Sequence, residues 1–241
     1  YFHPKMPEEP LIFVEVALVS GLAGNVQMLL DEEAPLQDPE TADTAIFYSI
    51  SNAQKGLSGI SFGNFLIKRV VTELSGEFKG LKTFSTLSPI PGFIEWLENI
   101  FSDDCNGLLN VSDRHTLNEA MGSVKARQNR LSSFFSEHAW TEDESLNAKL
   151  KPILLRTVAH YLVVEKNKND KAIDPVAHFH LTNGAVVERL NWLGDTSNKG
   201  LKQSAGIMIN YVYDLATIDI NHEAYADGGK ITASSDILSL L

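Results

Sequence analysis

The chain has 241 residues, 44% hydrophobic and 21% charged, an ordinary globular composition long enough to bury one large core, so a single domain is expected. Its longest apolar run, Leu11 to Leu18, is broken by Glu15 and falls well short of the ~20 apolar residues of a membrane helix, so no membrane partner is expected. A net charge of −11 with no basic stripe interleaved with aromatics argues against nucleic acid, whereas a small anion needs only a local Lys/Arg cluster, because salt screens charges beyond ~8 Å.

The opening "YFHPKMPEEP" lacks a charged n-region followed by an apolar h-region and runs straight into a strand, so the chain reads as a fragment that begins inside a protein. "LIFVEVAL" (11–18) and "TAIFYSIS" (44–51) are short, β-branched and aromatic, and bounded by Gly, Asp, Asn or Pro, which predicts strands. The segment from Gly24 to Glu33 between them is predicted helical. In the second strand, alternation puts Tyr48 and Ile50 on one face and Ser49 and Ser51 on the other.

Gly56, Gly59 and Gly63 punctuate "SNAQKGLSGISFGNFLIKRVV" (51–71), and Phe62, Phe65, Leu66, Val70 and Leu74 recur at helical spacing. Bare backbone N–H groups at such a helix start can converge on a phosphate, with Lys55, Lys68 and Arg69 supplying charge. The same residues also describe a plain glycine turn ahead of a basic helix face. Neither G-x-x-x-x-G-K-[ST] nor G-x-G-x-x-G is present, so neither a nucleoside triphosphatase nor a dinucleotide site is indicated.

A further strand, Leu81 to Leu87, stops at Ser88 in "LKTFSTLSPIPGF". Prolines at 89 and 91 stiffen the backbone there and hold Ser88 extended, at a strand end where open sheets place ligands. That suits a catalytic hydroxyl; a serine that caps the next helix or closes a turn is the plainer reading. Strand, glycine loop, helix and strand together make a βαβ-like unit and an α/β class.

From 93 to 165 amphipathic stretches such as "GFIEWLENIF" and "LNAKLKPILLRTVAHYLVVEK" predict a helical insertion, followed by a polar loop at 166–175. "VAHFHLTNGAVVERLNWL" alternates and is read as a hairpin turning at Asn183-Gly184, which would put His178 and His180 on one strand face. Such a pair can ligate zinc. The other histidines show no H-x-x-x-H spacing and the lone Cys105 makes no C-x-x-C, so no metal is expected. One of these histidines acting as acid or base, or simply half-buried, remains open. "GIMINYVYDL" is a strand with Tyr213 in the core or a pocket wall, and the tail mixes a turn, a strand and a short helix. Cys105 has no intrachain partner, which fits a reducing compartment. No Gly-x-Ser-x-Gly elbow exists, and local spacing assembles no triad.

"HPKMPEEPLIFVEVAL", "DTAIFYSISNAQKGLSGISFGNFLIKRVV", "LKTFSTLSPIPGF", "DPVAHFHLTNGAVVERLNWL" and "GIMINYVYDL" together resemble the malonyl-CoA decarboxylase family over nearly the whole chain. The resemblance implies a GNAT-like α/β (α+β) fold, a mixed, strongly twisted central sheet flanked by helices, with the helical insertion at about 93–165. It makes residues 1–241 a fragment of the catalytic domain, without the family's amino-terminal helical oligomerisation domain. Ser88 matches the family's active-site serine and His180 its histidine, and Ser49 and Tyr213 match residues placed around the acyl group. The CoA-binding loop falls at 54–64, with Ser58, Gly59, Ile60, Ser61, Phe62, Gly63 and Asn64 at the pyrophosphate; at Ser61 family members often carry a different residue.

The implied reaction turns malonyl-CoA into acetyl-CoA and CO2 through an enolate, with no metal or redox cofactor, CoA being part of the substrate. His180 would deliver the proton or polarise the thioester oxygen, and Ser88 would hydrogen-bond the departing carboxylate or relay a proton; which of the two delivers it is left open. Two other classes share the expected fold: a GNAT-type acyltransferase, which frees the CoA thiol onto an acceptor, and a non-catalytic acyl-CoA-binding module. Self-association into a dimer or tetramer is expected, as is a bacterial cytoplasmic setting, since the C-terminal "LSLL" is not the S-K-L address.

Overall fold

The β-branched runs near the start form the frame of a sheet. The computed structural model describes residues 2–3, 5–10, 12–35, 38–52, 63–103, 107–122 and 130–241. Strands β1 (Phe2–His3) and β2 (Met6–Pro10) make a small antiparallel pair. β3 (Ile12–Val19) runs antiparallel to β4 (Thr44–Asn52), with helix α1 (Val26–Leu29) between them. The helix expected from Gly24 to Glu33 is thus only four residues long, started by Asn25, whose side chain accepts from Met28 N–H at 2.9 Å. Helix α2 (Gly63–Glu77) then crosses over to β5 (Thr83–Thr86), which lies parallel to β4.

The sheet is completed from the far end of the chain. β6 (Val186–Asn191) and β7 (Met208–Val212) pair antiparallel, β7 also pairs antiparallel with β5, and the order is β3-β4-β5-β7-β6. The mixed sheet with flanking helices is the expected class. Between β5 and β6 the described residues hold α3 (Phe93–Ser102), α4 (Val111–Ala120), α5 (Arg130–Phe135), α6 (Ala139–Glu142), α7 (Glu144–Val163) and α8 (Pro175–Thr182). Helix α9 (Asn198–Ser204) links β6 to β7, and α10 (Ile218–Gly228) and α11 (Ser235–Leu238) follow. The strand expected in the tail is reduced to a single bridge, Val187 with Ala233.

Helix α8 overturns the hairpin reading of 176–193. Asp174 caps it, its Oδ1 accepting from Val176 and Ala177 N–H at 2.9 Å each, and Pro175 occupies the first turn with its φ already helical. Two strong start signals outweigh a short alternation. The helix ends at Asn183, and Gly184 takes φ +78°, where an added Cβ would also collide with the Ile218 carbonyl oxygen.

Neighbouring residues of β4 enter different cores, as the two-residue repeat of a strand requires. Phe47 joins a large cluster with Val71, Phe84 and Ile209 that continues through Leu97, Phe135 and Leu154 of the helices. Ile46 joins Leu87 and Met208 on the other face, covered by Leu22, Val26 and Leu29. Helical layer and sheet therefore share one core. No described helix is long and apolar enough to cross a membrane.

Candidate active site

Ser88 sits where β5 has ended but one further bridge still holds the chain to β7. Its N–H donates to the Ile209 carbonyl at 2.8 Å and its carbonyl accepts from Ile209 N–H at 2.9 Å. With Pro89 next in sequence, neither backbone nor position has freedom to lose. His180 arrives from α8 on the opposite side. Its Nε2 lies 3.1 Å from Ser88 Oγ, across 92 residues of sequence, both residues are 5% exposed, and both line the adjacent cavity.

That cavity, of about 390 Å³, is bounded by Phe47 to Ile50 of β4, by Leu87 to Pro89, and by Pro175, Val176, Phe179 and His180 of α8. Strict alternation along β4 fails here. Glu15 pairs with Ser49 but Val16 with Phe47, so Tyr48 is an extra residue, and the bulge turns consecutive side chains toward one space. Ser49 consequently lines the same cavity. A hollow of about 580 Å³ between α3, α5 and α9 contains none of the expected site residues.

Tyr213 is not on the cavity wall. It stands behind His180, its hydroxyl 2.6 Å from Nδ1. Burial pushes the Tyr213 phenol well above its ordinary pKa and pulls His180 down to about 3. Phenol and imidazole are therefore both neutral near pH 7, and the phenol proton has Nδ1 as its hydrogen-bonding acceptor. The tautomer that keeps the Tyr213 proton paired has the phenol donating to Nδ1 and the imidazole proton on Nε2, facing Ser88. Tyr211 stacks on the ring at 4.6 Å between centroids and 26° between planes, fixing its orientation.

His178 has no share in this site. On a helix two residues span about 200°, and its Nδ1 instead meets Tyr225 Oη at 2.8 Å. The zinc-pair geometry disappears with the hairpin. Burial, with the charge of Lys171 adding to it, lowers the His178 pKa. Ser58, Gly59, Ile60, Ser61 and Phe62, and Lys55 and Cys105 with them, lie outside the described residues; Gly63 and Asn64 open α2. Of the other two cations expected to attract phosphate, Lys68 pairs with Asp219, and Arg69 Nε lies 2.9 Å from Glu73.

Three residues at the site carry no mark in the sequence reading. Thr86 Oγ1 lies 2.8 Å from Ser88 Oγ and accepts from Tyr211 N–H at 3.2 Å. The two-residue spacing of Thr86 and Ser88 along one strand direction was the available signal. Asp174 had the Asp-Pro helix start. Asn210, fully buried, donates to the Thr86 carbonyl at 2.7 Å and to that of Ala23 at 2.9 Å; nothing local in "MINYV" marks it.

The arrangement offers an oriented, uncharged hydroxyl–imidazole pair on a wall that is otherwise aromatic and aliphatic apart from Ser49. The family model for the malonyl-CoA decarboxylase C-terminal domain matches residues 1–241. Mitochondrial malonyl-CoA decarboxylase of the mouse, Mus musculus, is 41% identical over 254 residues, covering 100% of this chain and 50% of that protein. The protein of the same name from the goose Anser anser anser is 40% identical over 248 residues, with 100% and 49% covered. Among solved structures, malonyl-CoA decarboxylase of Rhodopseudomonas palustris superposes with a TM-score of 0.87 at 45% identity over 99% of this chain and 51% of its own. That of Cupriavidus metallidurans gives 0.79 at 46% identity over 100% and 57%. The chain spans about half the length of the mouse and goose relatives.

Proposed function

The chain belongs to the malonyl-CoA decarboxylase family, and we propose that it supplies the catalytic site at which malonyl-CoA becomes acetyl-CoA and CO2. One observation carries the reading: Ser88 and His180, distant in sequence, meet at 3.1 Å on a cavity whose described lining bears no charge.

A malonyl carboxylate placed against that wall loses hydration without gaining a counter-charge, and departure of CO2 relieves the cost. The C–C bond breaks with its electron pair moving into the thioester, giving an enolate shared between the methylene carbon and the thioester oxygen. A donor aimed at the enolate oxygen is worth about 3–4 kcal/mol, and a positioned proton donor about 10²–10⁴ in rate. Ser88 first holds the carboxylate and then, once CO2 has left, gives its proton to the methylene carbon. The enolate is a far stronger base than the alkoxide formed, and solvent restores the serine proton as product leaves. His180, neutral at its lowered pKa of about 3, serves as a hydrogen-bond donor through Nε2 and not as an imidazolium acid. Tyr213 holds the tautomer, a different role from contact with the acyl group, and Ser49 remains the nearby hydroxyl for the thioester.

The pyrophosphate loop at 54–64, assembly into a dimer or tetramer, and a bacterial cytoplasmic setting belong to the same proposal and rest on the resemblance of the sequence. The test is incubation of the full-length protein with malonyl-CoA while following acetyl-CoA, CO2 and free thiol. Equal acetyl-CoA and CO2 without thiol is expected. Thiol release that needs an amine acceptor would make the protein an acyltransferase, and binding without turnover would make it a carrier. Ser88→Ala and His180→Asn are each expected to lower kcat at least about a hundredfold, far more than they raise KM, because proton transfer and the donor behind it act mainly in the transition state; unchanged turnover in both would remove the proposal.

A further inference from the structure

Resting on the decarboxylase reading, we infer that Thr86 is a positioning residue of this reaction, the group that aims the Ser88 proton into the cavity. Ser88 Oγ has two polar side-chain neighbours among the described residues, Thr86 Oγ1 at 2.8 Å and His180 Nε2 at 3.1 Å. A hydroxyl carries one proton and two lone pairs. The direction of each bond follows from where the other protons in this buried cluster can go.

Tyr213 spends its proton on His180 Nδ1, so Nε2–H donates to Ser88. Tyr211 N–H donates to Thr86 Oγ1, which fixes that oxygen as an acceptor on one side. Thr86 is 1% exposed, and among the described residues its hydroxyl has Ser88 Oγ as its hydroxyl neighbour at 2.8 Å, a contact in which either oxygen can be the donor. Were Ser88 to donate to Thr86, the Thr86 proton would be stranded; were Ser88 to donate to His180, the Tyr213 proton would be. A buried donor left without an acceptor is destabilising. Of the Ser88, Thr86, His180 and Tyr213 protons, one arrangement strands none: His180 and Thr86 both donate to Ser88, filling its two lone pairs, and the serine proton is left to point at the cavity, where a substrate carboxylate or carbon accepts it; Tyr211 Oη has no partner in any of these arrangements.

The same two donors hold the alkoxide when that proton transfers, so no reorientation is needed at the moment of reaction. Asn210 steadies the strand beneath through the Thr86 carbonyl, at 2.7 Å. Thr86 touches neither substrate nor the departing CO2 and acts through Ser88.

The experiment is malonyl-CoA turnover by the full-length protein with Thr86→Val, Thr86→Ser and the double variant Thr86→Val/Ser88→Ala, with Tm measured alongside. Thr86→Val is expected to lower kcat about ten- to hundredfold with KM within about threefold, and Thr86→Ser, which keeps the hydroxyl, to stay within about threefold of wild type. In the Ser88→Ala background the valine is expected to cost less than about twofold more, since its target has gone. Unchanged kcat in Thr86→Val, failure of Thr86→Ser to recover, or an equal further loss without Ser88 would each overturn the role. If the valine variant does not fold, Thr86→Cys, a weaker donor in the same space, is expected to show the same loss, and full activity there overturns the role equally. A wild-type protein that does not decarboxylate malonyl-CoA overturns the underlying reading, and this role with it, whereas an active wild type with an unaffected valine variant overturns Thr86 alone.

Discussion

His180 shows how burial sets the working form of a residue that sequence leaves open. A free imidazole near 6.5 is charged or neutral around neutrality; desolvation in this pocket brings it to about 3. Its folded value lies below its unfolded one, so the stability it contributes is complete above pH 6.5 and is lost as pH falls from there through about 3. The expected slope is at most about 1.4 kcal/mol per pH unit. Urea midpoints of wild type and His180→Gln between pH 7 and 5 check this: wild type should weaken on acidification more than the glutamine variant does. A kcat/KM profile for malonyl-CoA should likewise show no acid limb centred near 6.5; a midpoint there would mean that His180 titrates as an exposed imidazole.

Among the elements, α8 is what brings the imidazole to the serine, and its start is the point of leverage. Asp174 caps the helix through Oδ1, while its Oδ2 accepts from Gly92 N–H and Tyr161 Oη at 3.4 Å each, tying α8 to the segment that runs on from Ser88. Burial raises the Asp174 pKa, with the backbone bonds opposing it. Asn caps as well as Asp but carries no charge to bury. Asp174→Ala is therefore expected to cost about 1–2 kcal/mol in denaturant unfolding and to lower kcat with it, and Asp174→Asn less than half of each. An asparagine variant as damaged as alanine would place the effect in the charge and not in the cap. The Asp-Pro pair is legible in the sequence, yet alternation in "AHFHL" competes with it, because eight residues are too few for either period to dominate.

Across the molecule, one core runs from the sheet into the helices of 93–163, so the two walls of the cavity, β4 with β5 and α8, are parts of a single packed body. Ligand held between them should stabilise the whole fold. Acetyl-CoA at 100 times its Kd is expected to add about 2.7 kcal/mol, a shift of several degrees in Tm. Ser88→Ala should keep that shift. Gly59→Asp, which adds bulk and negative charge to the proposed phosphate loop, should abolish it; a full shift in that variant would detach the loop from CoA binding.

The strands at 12–19 and 44–52, the crossover helix, the helical run after 93 and the stiffened Ser88 were all legible in the residues, because periodicity, prolines and β-branched runs are local properties. Other features came only from packing. The insertion of β7 between β5 and β6, the bulge at Tyr48, and the meeting of Ser88 with His180 join segments far apart in the chain. So does the placing of Tyr213 behind the imidazole, and of Thr86 beside the serine under the Tyr211 backbone. No short window holds both partners of such a contact, and the neutral imidazole and phenol follow from burial that exists only once the core has closed.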